Sequence, residues 1–335
     1  MENRVVVSFE PVEGGREAIL AQLQGLAEVT FLADLDGKKR ASALEGARVL
    51  FASHFYRGEI LEEEWERLAS LEFIQTLYAG VEKTPFHRLP PGALLASNAG
   101  TFAEPLSEQV LTLALACAKR LFPKFGLMRE GRFDRSATNR FLSGGVCLIV
   151  GFGGIGKAVA RRMRALGMKV WGVNRSGRSS EPADRLGTLE DLDAMLPEAD
   201  VTVLCLPLTQ QSRGLIGKER LERMKPDAIL VNVGRGALVE EEDLYRHLQA
   251  HPGFFYGADV WWNEPEEGEP FSLRFPFLDL PNVAATPHNA DRVPGMDRQA
   301  TEVAARNIRR FLEGAAPLNV VNPADYGFER NGAVR

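Results

Sequence analysis

The sequence predicts an α/β protein with two parallel-sheet domains. Short β-branched or apolar runs alternate with helix-favouring segments along nearly the whole chain, the pattern of successive βαβ units. One unit carries a glycine-rich turn: Val146–Cys147–Leu148–Ile149–Val150 leads into G-x-G-x-x-G at 151–156 and then into a helix-favouring stretch from Lys157 to Leu166. A second strand, Lys169–Val173, closes that unit. At 335 residues the chain has room for two domains of ordinary size.

Taken in order, the first hundred residues supply strands at Val5–Ser8, Val29–Leu32, Val49–Ala52, Phe73–Leu77 and Leu94–Ser97. Helical patterns at Arg16–Leu26 and Ile60–Leu68 separate some of them. A long apolar helix is expected from Glu104 to Leu121, its start marked by Glu104 and Pro105, with a charged connection from Arg129 to Ser143. Beyond the glycine unit come strands at Val201–Leu206, Ile229–Val233, Phe255–Val260 and Val283–Thr286. Helical segments at Leu189–Leu196, Lys218–Met224 and Glu240–Leu248 lie between them. The last helical pattern, Thr301–Leu312, is too little to fold alone and is expected to return to the amino-terminal domain. The fold class is thus two doubly wound parallel-sheet domains: a Rossmann dinucleotide-binding domain over 100–288 and a smaller flavodoxin-like substrate domain from 1–99 plus 289–335, with a cleft between.

Composition narrows the function classes. A hydrophobic content of 45% and a charged content of 25% are those of a soluble globular protein. The net charge of −5 gives no basic face for nucleic acid. The short apolar run Val5–Val7 does not make a signal peptide, and no apolar run approaches the roughly 18 residues of a membrane span. Cys117, Cys147 and Cys205 sit in apolar segments without metal-ligand spacing, so reduced buried thiols, no metal and a cytoplasmic location are expected.

The glycines of 151–156 have separate reasons. Gly151 allows the tight turn, Gly153 lets backbone approach a pyrophosphate, and Gly156 lets helix pack on strand. Gly154 and Ile155 complete the phosphate-facing turn. If the dinucleotide is a nicotinamide one, the protein must add a proton donor and a carboxylate anchor, placed past the carboxyl ends of strands. Arg235, Glu264 and His288 meet that condition. Alone, Arg235 reads as a solvated turn arginine, Glu264 as the start of an acidic loop with Glu266, Glu267 and Glu269, and His288 as a cap. Their joint placement at the mouth of one sheet outweighs those readings. A guanidinium clamps a carboxylate, an imidazolium donates a proton, and a carboxylate beside the histidine orients it and raises its pKa. Tyr78–Ala79–Gly80–Val81 also follows a strand; it is either an ordinary turn or a set of N–H groups for a substrate carboxylate.

These residues resemble the D-isomer-specific 2-hydroxyacid dehydrogenases. The matching stretches are GFGGIGKAVA from Gly151, LCLPLT at Leu204–Thr209, RMKPDAILVNVGRGALVEEEDL at Arg223–Leu244, GADVWWNEP at Gly257–Pro265 and ATPHNA at Ala285–Ala290. LYAGVE at Leu77–Glu82 and the segment Asn98 to Glu108 match more loosely. The resemblance implies that Arg235, Glu264 and His288 are the catalytic three and that Asp259 holds the nicotinamide carboxamide. It implies further that Tyr78, Ala79 and Gly80 bind substrate, and that Leu206, Pro207, Val233, Gly234 and His288 line the cofactor pocket. It also implies a homodimer through the Glu104 to Phe141 region. The implied reaction is NAD(P)H-dependent reduction of a small 2-keto acid, glyoxylate or hydroxypyruvate being the leading substrates.

This sequence departs from the family at the end of its second glycine-unit strand. An acid that accepts from the ribose hydroxyls of NAD is usual there; here stand Asn174, Arg175 and Ser176, with Arg178 beyond. Loss of the anion and gain of arginines favours NADP(H); the alternative is that Arg175 stacks on adenine and NAD(H) is used. Glu82 stands at the usual acid of the substrate-domain loop, and Trp261–Trp262 are bulkier than common, which bears on substrate size. Other readings are a nucleotide-sensing binding protein like the corepressors of this fold, and a phosphoglycerate dehydrogenase-like enzyme, which would be expected to carry a further regulatory domain. A formate dehydrogenase relative is disfavoured, since those enzymes give the histidine a neutral partner and Glu264 is present.

Overall fold

The computed structural model describes residues 3–55, 58–265 and 268–328. The chain divides into two compact units, one formed by Met1–Phe102 with Val293–Arg335 and the other by Ala103–Arg292.

The first unit contains strand β1 (Arg4–Val7), helix α1 (Gly15–Leu23), β2 (Glu28–Phe31), α2 (Gly37–Glu45), β3 (Val49–Ala52), β4 (Phe73–Thr76) and β5 (Leu94–Ala96). All five strands are parallel in the order β2-β1-β3-β4-β5, the doubly wound order of flavodoxin-like sheets. Such strands are covered on both faces, which is why β3 reads as an unbroken apolar run and why β3 and β4 are buried at every position, Gln75 and Thr76 included. The carboxyl-terminal helix Met296–Leu312 belongs to this unit and packs on α1 and β4. Two buried asparagines fix it. Asn98 donates to the carbonyls of Leu77 and Ala300, and Asn307 donates to Gln75 Oε1 at 2.7 Å while accepting from Leu318 N–H.

The second unit opens with α3 (Ala103–Ala118) and α4 (Leu121–Arg129). Then follow β6 (Val146–Val150), α5 (Gly154–Ala165), β7 (Lys169–Val173), β8 (Arg185–Gly187), α6 (Leu192–Met195), β9 (Val201–Leu204), α7 (Lys218–Arg223), β10 (Ile229–Asn232), α8 (Glu241–Ala250), β11 (Phe255–Ala258) and β12 (Val283–Ala285). The seven strands are all parallel in the order β12-β11-β10-β9-β6-β7-β8. Strand order reverses between β6 and β9, and such a switch point is where a doubly wound sheet opens a ligand crevice. One apolar layer, around Leu148, Leu204, Leu230 and Tyr256, fills one face; a second, around Ile149, Val203, Val231 and the α3 side chains Val110 and Leu113, fills the other.

Several elements differ from the sequence pattern for physical reasons. The helix expected from Glu104 to Leu121 ends at Ala118, and Arg120, at φ 52°, turns the chain into the separate helix α4. The segment expected as a helix at Ile60–Leu68 is a 3₁₀ stretch over Glu62–Leu68, and part of Leu189–Leu196 is also 3₁₀. Helix α2 and strand β8 had no pattern to announce them: α2 buries only Leu44, and β8 is three residues at the sheet edge. Among the described residues no helix is long and apolar enough to cross a membrane.

The packing of α5 on β6 leaves no room for a side chain at Gly156. A Cβ at Gly156 would overlap the carbonyl oxygen of Gly151 and crowd Ile149. Gly156→Ala is therefore expected to cost about 1–3 kcal/mol of folding free energy by overpacking. Urea unfolding of the variant beside wild type measures it; an unchanged midpoint and slope would show that the helix can shift without cost.

Candidate active site

The glycine turn folds as its spacing requires. Gly151 has φ 101°, and a Cβ there would stand 2.7–2.8 Å from the backbone of Cys205 and Leu206, so the ends of β6 and β9 approach closely only with glycine. A Cβ at Gly153 would meet no protein atom within 4 Å, so nothing in the protein itself demands glycine there. Gly154 and Ile155 begin α5, whose first N–H groups face the turn. Beside it lies a cavity of about 610 Å³ whose lining includes Gly151, Gly153, Asn174, Arg175, Leu206 and Pro207. A dinucleotide pyrophosphate fits this arrangement: an open glycine, a helix N-terminus and a cavity at the switch point.

Asn174 lines that cavity. Its side-chain carbonyl accepts from Ser176 N–H at 3.0 Å and from the Ser176 hydroxyl, and its amide donates to Arg178 O at 2.8 Å. Both ends of the side chain are thus spent on bracing the turn that carries Arg175, Ser176 and Arg178.

At the other end of the sheet, β10, β11 and β12 deliver the three candidate catalytic groups. Their parallel register pairs Asn232 with Ala258 and Ala258 with Ala285, so the residues just past each strand share one level. Arg235 follows β10 on a turn held by the buried Asn232, whose amide donates to Arg235 O at 2.9 Å and whose carbonyl accepts from Gly234 N–H at 3.0 Å. A Cβ at Gly236 would overlap the backbone of Trp261 and Trp262, so the arginine turn lies directly on the loop that leads to Glu264. A Cβ at Gly234 would crowd Leu206 O at 2.9 Å, which joins the arginine turn to the cavity wall.

Glu264 Oε2 and His288 Nδ1 are 2.7 Å apart, and Glu264 Oε1 accepts from Trp261 N–H at 2.9 Å. Burial pushes the Glu264 carboxyl up; the bond and charge of His288, with Trp261 N–H and the Arg235 charge, outweigh it and bring the pKa below the ordinary carboxylate value. For His288 burial acts downward and Arg235 repels, yet Glu264, with a smaller share from Asp259, raises the pKa above the ordinary imidazole value. Both groups therefore favour the imidazolium–carboxylate pair. His288 also sits at φ 50°, a left-handed conformation uncommon outside glycine and one that recurs at functional sites. Asp259, buried beneath them, accepts from the Thr286 hydroxyl at 2.6 Å and from Ala290 N–H at 3.3 Å.

The second unit thus brings together Arg235, Glu264, His288 and Asp259, and separately Gly151, Gly153, Asn174, Arg175, Ser176, Leu206 and Pro207 around the cavity. Val233 and Gly234 are buried at the end of β10. Tyr78, Ala79 and Gly80 belong to the first unit, where Tyr78 stacks on Phe102 at 5.6 Å and its carbonyl accepts from Asn98 N–H. Glu266 and Glu267 of the acidic run lie outside the described residues. Sequence reasoning missed further residues of the cavity lining, among them the polar Thr188, Glu190, Thr209, Gln211 and Ser212. Thr209 and Ser212 form a hydroxyl-capped turn, with Ser212 Oγ donating to Pro207 O at 2.7 Å, and the T-x-x-S spacing was its available signal.

Fold and site define a nicotinamide-dependent oxidoreductase, and comparison with known proteins gives the family. A family model described as D-isomer specific 2-hydroxyacid dehydrogenase, NAD binding domain, matches residues 111–290. The glyoxylate reductase of Thermococcus gammatolerans is 35% identical over 242 residues, 69% of this chain and 70% of that protein. Among solved structures, a putative formate dehydrogenase from Pyrobaculum aerophilum aligns with TM-score 0.82 at 30% identity over 97% of this chain and 100% of that one. An NADPH-dependent glyoxylate/hydroxypyruvate reductase from Sinorhizobium meliloti, solved with NADP and sulfate, aligns with TM-score 0.77 at 26% identity over 97% and 99%. The chain belongs to the D-isomer-specific 2-hydroxyacid dehydrogenase family.

The ion pair sets a pH dependence of stability. His288, raised from 6.5, contributes fully below pH 6.5 and loses its share as pH rises through the raised value. Glu264, lowered from 4.5, contributes above pH 4.5 and loses its share as pH falls through the lowered value. Unfolding free energy should therefore carry a downward slope above pH 6.5 that Glu264→Gln flattens. Denaturant titrations across pH on both proteins check this; parallel curves would deny the pair any linkage.

Proposed function

We propose that the protein reduces a small 2-keto acid, of the glyoxylate or hydroxypyruvate kind, to the D-2-hydroxy acid with NADPH, with His288 as proton donor. The observation that carries this reading is the 2.7 Å Glu264–His288 pair past the same strand ends as Arg235. The dinucleotide supplies the hydride when bound. The Arg235 guanidinium binds the substrate carboxylate and polarises the adjacent carbonyl. With Nδ1 engaged by Glu264, the imidazolium gives its Nε2 proton to the carbonyl oxygen as negative charge develops there. Glu264 keeps the ring charged and oriented, and Asp259 takes the nicotinamide carboxamide. Within the first unit, the turn Tyr78–Ala79–Gly80 is the proposed substrate-binding segment.

Gly151, Gly153, Gly154, Ile155 and Gly156 would hold the pyrophosphate, with Leu206, Pro207, Val233 and Gly234 beside the nucleoside and nicotinamide. The turn Asn174–Arg175–Ser176 supports NADP(H) over NAD(H), because it carries no anion to repel a 2′-phosphate and offers arginines to pair with it. The burial of Cys117 and Cys147, which raises both thiol pKa values, that of Cys117 to about 12, suits a reducing cytoplasm. We also assign the segment from α3 to Phe141 as a homodimer face. Leu121, Phe122, Phe125 and Met128 are exposed there, and Phe133 and Phe141 are 76% and 81% exposed.

Initial rates with NADPH and NADH against glyoxylate, hydroxypyruvate, pyruvate and bulkier keto acids test the reading. NADPH should be preferred about tenfold, about 1.4 kcal/mol. Reductive kcat/KM should fall as pH rises through the raised His288 pKa, and His288→Ala should lower kcat by roughly 10²–10⁴-fold. Wild-type turnover in that variant sinks the proton-donor assignment. A tenfold preference for NADH overturns the NADP(H) assignment. No turnover of either nucleotide with any 2-keto acid favours a nucleotide-sensing role instead.

For the dimer face, the wild type should run as a dimer in size-exclusion chromatography with light scattering. Phe125→Asp combined with Phe133→Asp should run as a monomer. A monomeric wild type removes that assignment.

A further inference from the structure

Thr286 follows β12, two residues before His288, and hydrogen bonds from three places in the second unit converge on it. Its hydroxyl donates to Asp259 Oδ1 at 2.6 Å and accepts from Gln109 Nε2, on α3, at 2.7 Å. Its carbonyl accepts from the indole Nε1 of Trp261 at 2.9 Å. The Gln109 amide nitrogen only donates, and a hydroxyl has one hydrogen to give; the Ala258 carbonyl, at 3.3 Å, is the farther acceptor, so that hydrogen goes to Asp259. Asp259 is 2% exposed, and its other partners, the N–H groups of Asn289 and Ala290, stand farther off at 3.4 and 3.3 Å. The Thr286 hydroxyl is thus the short bond to a buried carboxylate. Trp261 ties the same point to the other half of the pair, since its backbone N–H holds Glu264 Oε1 while its indole holds Thr286. Downstream, His288 occupies φ 50°, a conformation that persists only where surrounding bonds over-determine it.

We propose that Thr286 is a positioning residue for the reaction, the hub that holds His288 in line with Glu264, and that Gln109 is its remote latch on α3. This rests on the reading of His288 as proton donor. Thr286 and Gln109 act through the histidine and are not reacting groups. Three charged groups face the imidazole: Glu264 and Asp259 raise its pKa and Arg235 lowers it. Glu264 is the one bonded directly to it, so loosening the hub lengthens that contact first and lets the imidazole pKa fall.

The variants are Thr286→Val, which keeps the shape and removes the hydroxyl, Thr286→Ser, which keeps the hydroxyl, and Gln109→Leu. Two quantities are read: kcat with NADPH and glyoxylate, and the NMR titration of the His288 ring in the full protein without ligands, assigned by its loss in His288→Gln. Thr286→Val should lower kcat roughly ten- to hundredfold, the scale of a small misplacement of a reacting group, and move the His288 titration to lower pH. Thr286→Ser should recover most of both. Gln109→Leu should move both in the same direction by less. Wild-type kcat and titration in Thr286→Val overturn the proposal. So does a Thr286→Ser variant as impaired as Thr286→Val, because lost methyl packing would then be the cause. If Thr286→Val does not fold, Gln109→Leu decides: an unchanged titration and kcat overturn it. The ring titration needs no turnover, so failure of the proton-donor reading, seen as full activity in His288→Gln, is distinguishable from failure of the hub.

Discussion

The 2.7 Å bond between Glu264 and His288 joins two loops that leave adjacent parallel strands, and most of the site's local structure serves to close that gap. Neither residue reaches the other through its own element. Glu264 is aimed by Trp261 N–H at the start of its loop, and His288 is presented by a left-handed backbone beyond Thr286 and Pro287. The same loop receives the Arg235 turn through Gly236, where any side chain would collide with Trp261 and Trp262. Three charged groups thus gather at one sheet end because backbone packs on backbone beneath them. Burial opposes the charge on Glu264 and on His288 alike, and it loses in both cases to their mutual attraction.

The cofactor side obeys a related constraint with a different outcome. Gly151 and Gly156 are demanded by the protein's own packing, one by the backbone of Cys205 and Leu206 and the other by the carbonyl of Gly151. Gly153 is not, since a side chain there would meet only open space. Of the three motif glycines, the middle one alone has no structural reason to be glycine, which leaves approach of a ligand as its physical rationale. The cavity beside it then follows from the sheet: strand order reverses between β6 and β9, and the loops above them diverge.

What the sequence made legible depended on burial. Strands β6, β9 and β10 are covered on both faces, so they stand out as mainly apolar, β-branched runs, and the residues after them could be assigned to strand ends. Helix α2, which opens with Lys38, Lys39 and Arg40 and buries only Leu44, gave no apolar period to read. The break between α3 and α4 was hidden because apolar residues continue through Leu121 and Phe122, while the break itself rests on a left-handed Arg120 that no composition rule marks. Arg235, Glu264 and His288 could be singled out as candidates because each follows a strand in a recognisable motif. Gln109 and Thr286 were not, because a bond across 177 positions leaves no local trace.

Asn174 shows how one substitution can act on two levels. An aspartate there could still accept from Ser176 N–H, but it has no hydrogen to give to Arg178 O, so the 2.8 Å bond that closes the turn requires an amide. The residue that removes an anion from the cavity wall is therefore also the one that braces the segment carrying Arg175 and Arg178. Because both ends of its side chain are engaged within the turn, Asn174 is poorly placed to replace an acid as acceptor for ribose hydroxyls. The proposed selectivity for a 2′-phosphate then draws on lost repulsion, added cationic charge and an ordered backbone together, all from the one turn Asn174–Arg178.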